Sequence, residues 1–321
     1  MTKKSFMLFI LLASTAIAQA PNKELYQHLQ DVSVTVKSFA GEGSGVIVTR
    51  EITNSKGKKE KVNFVWTAAH VVDGLRSVRV VIKDGKPTTV VEFKDAQIVK
   101  ELVENGRRVG EIKMEAKVIK YSDADNGEDL ALLMVRKKGF IDKTTTFHTA
   151  DEPVAIGTEL YHVGSLLGQV GSNSMTRGIL SQIGRVLDLG TGDGVVFDQT
   201  SCPGFPGSSG GGVFLSERTK GHEGHYVGML VRGAGETFNL IVPVRRMRKY
   251  AKSNGVLWAL DQNAPTPTYE DILKLPVEGT IDSKGNGGKS SSGSPQFPFL
   301  FRHSATPEQI SPFLPRRPIE N

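Results

Sequence analysis

Three short segments carry side chains that could do chemistry together. The first is Gly207-Ser208-Ser209-Gly210-Gly211, preceded by Pro206. A serine hydroxyl becomes a useful nucleophile only when a base takes its proton. The oxyanion that its attack generates needs donors fixed in advance. Glycine at 207 can adopt a backbone conformation closed to other residues, which lets the N–H groups of Gly207 and Ser209 point the same way. The second segment is Trp66-Thr67-Ala68-Ala69-His70-Val71-Val72, an apolar stretch ending in small residues with an imidazole just beyond. The third begins at Asp129 and continues Leu130-Ala131-Leu132-Leu133, an acid opening an apolar run. A carboxylate in such a place needs a partner, and a histidine N–H would serve. Alone, each segment also reads as ordinary structure: a Gly/Ser turn, a histidine capping a helical turn, a strand-opening aspartate.

Their order makes the combination specific. His70, Asp129 and Ser209 follow one another with gaps of 59 and 80 positions. That spacing suits a base and its orienting acid on one structural unit and a nucleophile on the next, with a cleft between them. Ser209 would attack, His70 would accept and return the proton, and Asp129 would fix the imidazole tautomer and stabilise its cation.

The elements needed to hold these groups are short. Glycine is abundant, at 35 of 321 residues, and separates brief Val/Ile/Leu runs. One series of such runs covers 33–37, 44–48, 62–67, 78–82, 88–92, 117–119 and 130–135. A second covers 159–163, 176–183, 194–198, 211–214, 226–231 and 238–242. Strands at this spacing with turn residues between them indicate barrels. The expected fold is therefore all-β, two six-stranded antiparallel β-barrels at about 30–145 and 150–245. Pro243 to about Leu260 reads as a C-terminal helix, with proline suited to its start. Residues 261–321 read as a disordered tail, because their Gly/Ser-rich stretch cannot bury enough apolar surface to offset chain entropy.

The N-terminus has the form of an export signal. Lys3 and Lys4 precede an apolar core from Phe6 to Ala18, and Ala18-Gln19-Ala20 supplies a small-x-small cleavage pattern. Residues 1–20 are expected to be removed, leaving a domain of 21–260 that is exported to the periplasm or outside the cell, with no stable membrane insertion. The single cysteine, Cys202, excludes an intrachain disulfide; it reads either as a pocket-lining group or as a small buried hydrophobe. Formal net charge is +6, but the basic residues are dispersed, which argues against a nucleic-acid partner. The clusters at 56–61 and 245–249 read as a hairpin tip and a solvated helix face. His222 and His225 stand three apart beside Glu223 in a polar loop. No further ligand is evident near them, so neither a metal nor a cofactor is expected. His28, His148, His162 and His303 carry no assignment.

The three catalytic motifs resemble those of the trypsin/chymotrypsin-like serine peptidases. In the second half the resemblance narrows to the HtrA-like bacterial branch. It is carried by Val163-Gly-Ser-Leu-Leu-Gly168, Thr176-Arg-Gly-Ile-Leu-Ser-Gln-Ile-Gly-Arg185, Pro206-Gly-Ser-Ser-Gly-Gly211 and Asn239-Leu-Ile-Val-Pro243. It covers about residues 30–250. It implies a chymotrypsin-like fold and a serine endopeptidase acting on protein or peptide substrates through an acyl-enzyme. It also implies an oxyanion hole from the N–H groups of Gly207 and Ser209. Substrate-binding residues would be Pro203 and Gly204 at the pocket floor and Val231 and Gly233 on its wall, with Arg232 projecting outward. No carboxylate stands at the floor, so small or medium apolar residues are expected at P1. The chain departs from the family at Ser208, where Asn or Asp is usual, and in a long charged insert at 83–115; no C-terminal PDZ domain is legible. The alternative on the same fold is a catalytically weak or inactive chain serving as a protein-binding module. The Gly-x-Ser-x-Gly spacing also matches an α/β-hydrolase elbow, but residues 211–214 read as strand where that fold requires a helix.

Overall fold

The structure, a computed structural model, describes residues 22–104, 107–125, 127–150, 152–188, 194–234, 236–278 and 301–302. The expected leader, 1–20, lies outside these residues, as does most of the expected tail.

Strand β1 (Ser33–Lys37), β2 (Glu42–Thr53) and β3 (Lys59–Thr67) follow a short helix α1 (Lys23–Asp31) capped by the Asn22 side chain. After a four-residue helical turn α2 (Ala69–Val72) come β4 (Arg76–Lys83), β5 (Lys86–Phe93), β6 (Ala96–Glu104), β7 (Arg107–Ser122) and β8 (Leu130–Val135). Six of these close a barrel in the order β1-β2-β3-β8-β7-β6, the first strand pairing with the last. Their inward residues, among them Val46, Phe64, Ile98, Val118 and Leu132, are buried together. β-branched and aromatic side chains suit a pleated, buried surface, so local preference and burial agree here.

Two of the runs read as barrel strands, 78–82 and 88–92, do not join that barrel. They form β4 and β5, a separate two-stranded ribbon that exposes Val78, Val80 and Ile82. The sixth barrel strand is β6, from within the charged segment read as an insert. Lys100, Glu101 and Glu104 interrupt the apolar run there, yet Ala96, Ile98 and Val99 are buried, and so is Lys100, which donates to the Gln30 carbonyl at 2.8 Å.

The second half contributes β9 (Glu159–Leu166), β10 (Gly171–Asp188), β11 (Gly194–Thr200), β12 (Gly212–Leu215), β13 (Tyr226–Gly233) and β14 (Asn239–Pro243). They are ordered β12-β9-β10-β11-β14-β13, and β12 also pairs with β13, so the six strands form a closed ring. Phe301–Arg302 (β15) adds antiparallel to the edge of β13, Arg232 opposite Arg302 and Gly233 opposite Phe301. The fold is thus all-β and built on two six-stranded rings, as the run spacing suggested.

Two expectations for the C-terminal part need correction. Helix α3 spans Val244–Ser253, not to 260; the chain turns out at Asn254-Gly255, where the Val256 N–H closes back on the Ala251 carbonyl at 2.8 Å. The packed chain also extends past 260, to Glu278. Trp66 donates its indole N–H to the Ala259 carbonyl, and Arg50 donates to the carbonyls of Gln262 and Ala264 and to the Thr266 hydroxyl. Helix α4 (Tyr269–Lys274) inserts Ile272, fully buried, into the main core. Sparse apolar residues hid this segment: it docks through a few anchors and through its main-chain carbonyls, which composition does not register.

Candidate active site

Each of the three chemistry-bearing side chains sits at an element boundary. His70 lies in α2, at the end of β3; Asp129 is the residue before β8; Ser209 lies in the turn before β12. The structure brings them together. His70 Nε2 is 2.8 Å from Ser209 Oγ, and His70 Nδ1 is 3.0 Å from both carboxylate oxygens of Asp129. The His70 main-chain N–H also donates to Asp129 Oδ1 at 3.2 Å. Burial works against charge on Asp129, but His70 beside it and the Arg232 guanidinium hold its carboxyl well below the usual carboxylate range. An ionised carboxylate can only accept, so the Nδ1–H must donate to it. Nε2 is then left as the acceptor facing the Ser209 hydroxyl.

Asp129 adopts a left-handed backbone, with φ 54°, which aspartate tolerates better than most residues. Its N–H donates to the Asp123 carbonyl at 3.2 Å, closing the turn. Two arginines brace this turn. Arg246 pairs with the Glu128 carboxylate, donates to the Glu128 carbonyl at 2.8 Å and lies over the Phe197 ring. Arg232 donates to the Ala124 carbonyl at 2.9 Å. Both observations correct the sequence reading. Arg232 is buried rather than outward, because main-chain and acidic partners stand ready for it. The cluster at 245–249 is not a simply solvated face: Arg245 also forms a bidentate pair with Asp198.

The nucleophile turn depends on its glycines. Gly207 has φ 96°, and a Cβ there would lie 2.1 Å from the Ser165 carbonyl oxygen. Gly210 has φ 88°, and a Cβ there would lie 2.1 Å from the Ser44 carbonyl oxygen. Within the turn, the Ser208 N–H donates to Phe205 and the Gly211 N–H to Ser208, while the Gly210 N–H donates to Leu230. Among the described residues, the N–H groups of Gly207 and Ser209 join none of these backbone bonds. The Pro206 carbonyl, on the peptide that carries the Gly207 N–H, is turned away and accepts from the Leu167 N–H at 2.6 Å. Ser208, the departure from the family pattern, accepts from the Phe205 N–H through its hydroxyl at 3.1 Å.

Ser44 ties this turn to the first barrel. Its N–H donates to the Ser209 carbonyl at 2.7 Å, and its hydroxyl donates to the Gly207 carbonyl at 2.6 Å while accepting from the Ser165 N–H at 2.7 Å. The sequence reading missed Ser44, which had looked like an ordinary strand serine between glycines.

The expected substrate-binding residues are placed unevenly. The Val231 carbonyl lies 3.1 Å from Ser209 Oγ, so this part of β13 runs beside that hydroxyl. Gly233 is buried two residues on. The Pro203 carbonyl accepts from the Thr176 hydroxyl at 2.8 Å, and Gly204 is buried. No hydrogen bond among the described residues joins Pro203 or Gly204 to the triad. Cys202 is the small buried hydrophobe of its two readings: it belongs to the second core cluster, and burial pushes its thiol up to about 11.

Two histidines set aside earlier gain significance. His162 lies fully buried beneath the nucleophile turn, its ring filling the space left by Gly164 and Gly211, and burial pushes its pKa down to about 4. His148 is carried to the His222–His225 loop, its N–H donating to the Tyr226 carbonyl at 2.9 Å.

A family model described as "Trypsin-like peptidase domain" matches residues 43–222. A curated relative, "Serine protease Do-like HtrA" of Lactobacillus helveticus, is 27% identical over 175 residues, 54% of this chain. The match spans only 33% of that relative's length. Among solved structures, that of Deg5 is similar at 20% identity and a TM-score of 0.48, over 74% of this chain and 95% of the other. That of Rv3671c from M. tuberculosis H37Rv, in an inactive form, is similar at 16% identity and a TM-score of 0.49, over 72% and 93%. Among the described residues no helix is long and apolar enough to cross a membrane.

Proposed function

The chain belongs to the trypsin-like peptidase domain family, and from that premise we propose that it is an exported serine endopeptidase with Ser209, His70 and Asp129 as its triad. The observation that carries this reading is the bridging imidazole, 2.8 Å from the Ser209 hydroxyl on one side and 3.0 Å from Asp129 on the other.

The reaction follows from that geometry. Ser209 Oγ attacks the scissile carbonyl carbon as its proton passes to His70 Nε2. The oxyanion forms against the N–H groups of Gly207 and Ser209, whose donors need no reorganisation at that moment. Collapse breaks the C–N bond, and the amine leaves with the proton from His70. Water then attacks the Ser209 ester with His70 again as base, releasing the acid and restoring the hydroxyl. Asp129 keeps the imidazole in one tautomer and offsets its transient charge.

Substrate binds as an extended strand on the edge of β13, with Val231 and Gly233 along it and Pro203 and Gly204 at the floor of the P1 pocket. Pairing of β15 with Arg232–Gly233 supports this mode, because that edge already accepts an antiparallel chain. With no carboxylate at 203–204, the pocket favours small or medium apolar P1 residues, each fitted group worth about 1–3 kcal/mol. Residues 1–20 act as a cleaved signal peptide, leaving Pro21 as the new N-terminus in the periplasm or outside the cell. The intact bridging geometry favours catalysis over the alternative of a binding module.

The test is incubation with a denatured protein, with and without Ser209→Ala, alongside labelling by a serine-reactive phosphonate. Cleavage and labelling that both vanish in Ser209→Ala are expected. Undiminished cleavage by that variant would end the proposal.

A further inference from the structure

Away from the triad, a second group of side chains converges. After the first barrel the chain crosses to the second and pairs with the start of β13: Phe147 bridges Tyr226 in parallel, the Tyr226 N–H donates to the Thr146 carbonyl, and the His148 N–H donates to the Tyr226 carbonyl. This fixes His148 beside the β12–β13 loop. That loop is itself well tied, with the His222 N–H donating to Thr219, the His225 N–H to His222, and Leu215 bonded to both His225 and Gly224. Gly224 packs against Leu25 and Leu29 of α1. The three imidazoles are therefore presented by braced backbone from two distant stretches of sequence.

Their rings pack edge-on or tilted, with centroids 5.2 Å apart for His148–His222, 5.0 Å for His222–His225 and 6.3 Å for His148–His225. One nitrogen from each lies within 4.8 Å of the other two. A second observation points to a ligand: His148 Nδ1 is shut off from solvent with no hydrogen-bond partner in the described structure. As neutral rings the three imidazoles offer three lone pairs to one point.

We propose that His148, His222 and His225 form a binding site for a divalent transition-metal ion of the zinc type. Imidazole nitrogen suits zinc, nickel and copper, whereas magnesium and calcium demand oxygen ligands. Tetrahedral binding at about 2.1 Å sets ligand nitrogens roughly 3.4 Å apart. The present separation closes to that value by small side-chain rotations, which exposed His222 is free to make. His222 lies at the surface, so a water completes the coordination, and Glu223 beside it adds negative charge facing solvent. The ion would clip the crossing segment to the start of β13, the strand whose far end carries Val231 and Arg232. The site needs no role for the triad and stands apart from the peptidase reading.

The experiment is metal binding by the purified chain, using Zn2+ in equilibrium dialysis and Co2+ in absorption spectroscopy. One equivalent of Zn2+ per chain is expected, displaced by Ni2+ but not by Mg2+, with Co2+ giving the visible bands of a tetrahedral nitrogen-rich site. His148→Gln, His222→Gln and His225→Gln should each weaken binding by roughly tenfold or more, as loss of even an indirect partner commonly does. Zn2+ should also raise the Tm of the parent chain and leave the Tm of His222→Gln unchanged. Because His222 is exposed, that variant keeps the parent Tm in EDTA, which separates lost binding from lost folding. Binding of less than about a tenth of an equivalent, or wild-type affinity in His148→Gln or His222→Gln, would overturn the proposal.

Discussion

Arg232 Nη2 donates to the main-chain carbonyl of Ala124 at 2.9 Å, one residue beyond the Val231 carbonyl that meets the Ser209 hydroxyl. The strand beside Ser209 thus also braces the turn that carries Asp129, and it brings a buried positive charge toward that carboxylate.

Arg232→Gln is expected to lower kcat by about tenfold, the effect of roughly 1.4 kcal/mol in the transition state. The acidic limb of the kcat/KM profile should move to higher pH, because the imidazole–carboxylate pair as a unit takes up a proton more readily once a neighbouring cation is gone. A purely structural role would lower the profile without moving it. An unshifted acidic limb would remove Arg232 as a positioning residue.

Ser44→Ala is the sharper test of how the barrels cooperate. It leaves the Gly207 carbonyl and the Ser165 N–H, both bonded to the Ser44 hydroxyl, without their partner. Leaving such groups unpaired costs about 1–3 kcal/mol. The loss should fall mainly on kcat, because the turn that carries the oxyanion donors is what loosens. Steady-state kinetics on one peptide separate the two constants; a rise in KM with unchanged kcat would contradict the assignment.

Much of this site was legible because the chemistry needs particular residue types at boundaries. His70, Asp129 and Ser209 each end or begin an apolar run, and their contact in space agrees with their order in sequence. The second ring was readable from its alternating runs. What stayed hidden depends on pairs that lie far apart. Ser44 looks like any strand serine until Gly207 is folded against it. Arg246 and Arg232 read as surface charges until Glu128 and Ala124 arrive. Strand β6 was masked by its glutamates and by Lys100, which is buried only because the Gln30 carbonyl meets it, and Ile272 by the polar residues around it.

His162 predicts a pH dependence of stability. Its folded pKa of about 4 lies below the ordinary histidine value, because burial disfavours the cation. Between that value and the unfolded one, about 6.5, the unfolded chain binds the extra proton. Stability is therefore complete above about pH 6.5 and is lost as pH falls toward 4, by roughly 3 kcal/mol. Urea unfolding at a series of pH values measures the slope. His162→Gln should flatten it between pH 6.5 and 4, and an unchanged slope in that variant would show that other groups titrate there.

The C-terminal region should divide functionally at Glu278. Truncation after Asp261 removes Ile272 from the core, where loss of such a side chain costs about 2–5 kcal/mol. It also strips the carbonyls of Gln262 and Ala264 from Arg50 and that of Pro276 from Lys120, both buried cations. Breaking buried charges from their partners costs about 3–5 kcal/mol more, which together rivals the 5–15 kcal/mol that holds a typical domain. That chain should not give a cooperative melt. Truncation after Glu278 keeps every one of these contacts and removes β15 from the edge of β13. Its Tm should match the parent, and its KM for an extended peptide should fall severalfold with kcat unchanged, because the substrate no longer competes with the chain's own strand. An unchanged KM would mean that β15 does not occupy the edge the substrate uses, and a parent-like melt after truncation at Asp261 would mean that 262–278 contributes nothing to the fold.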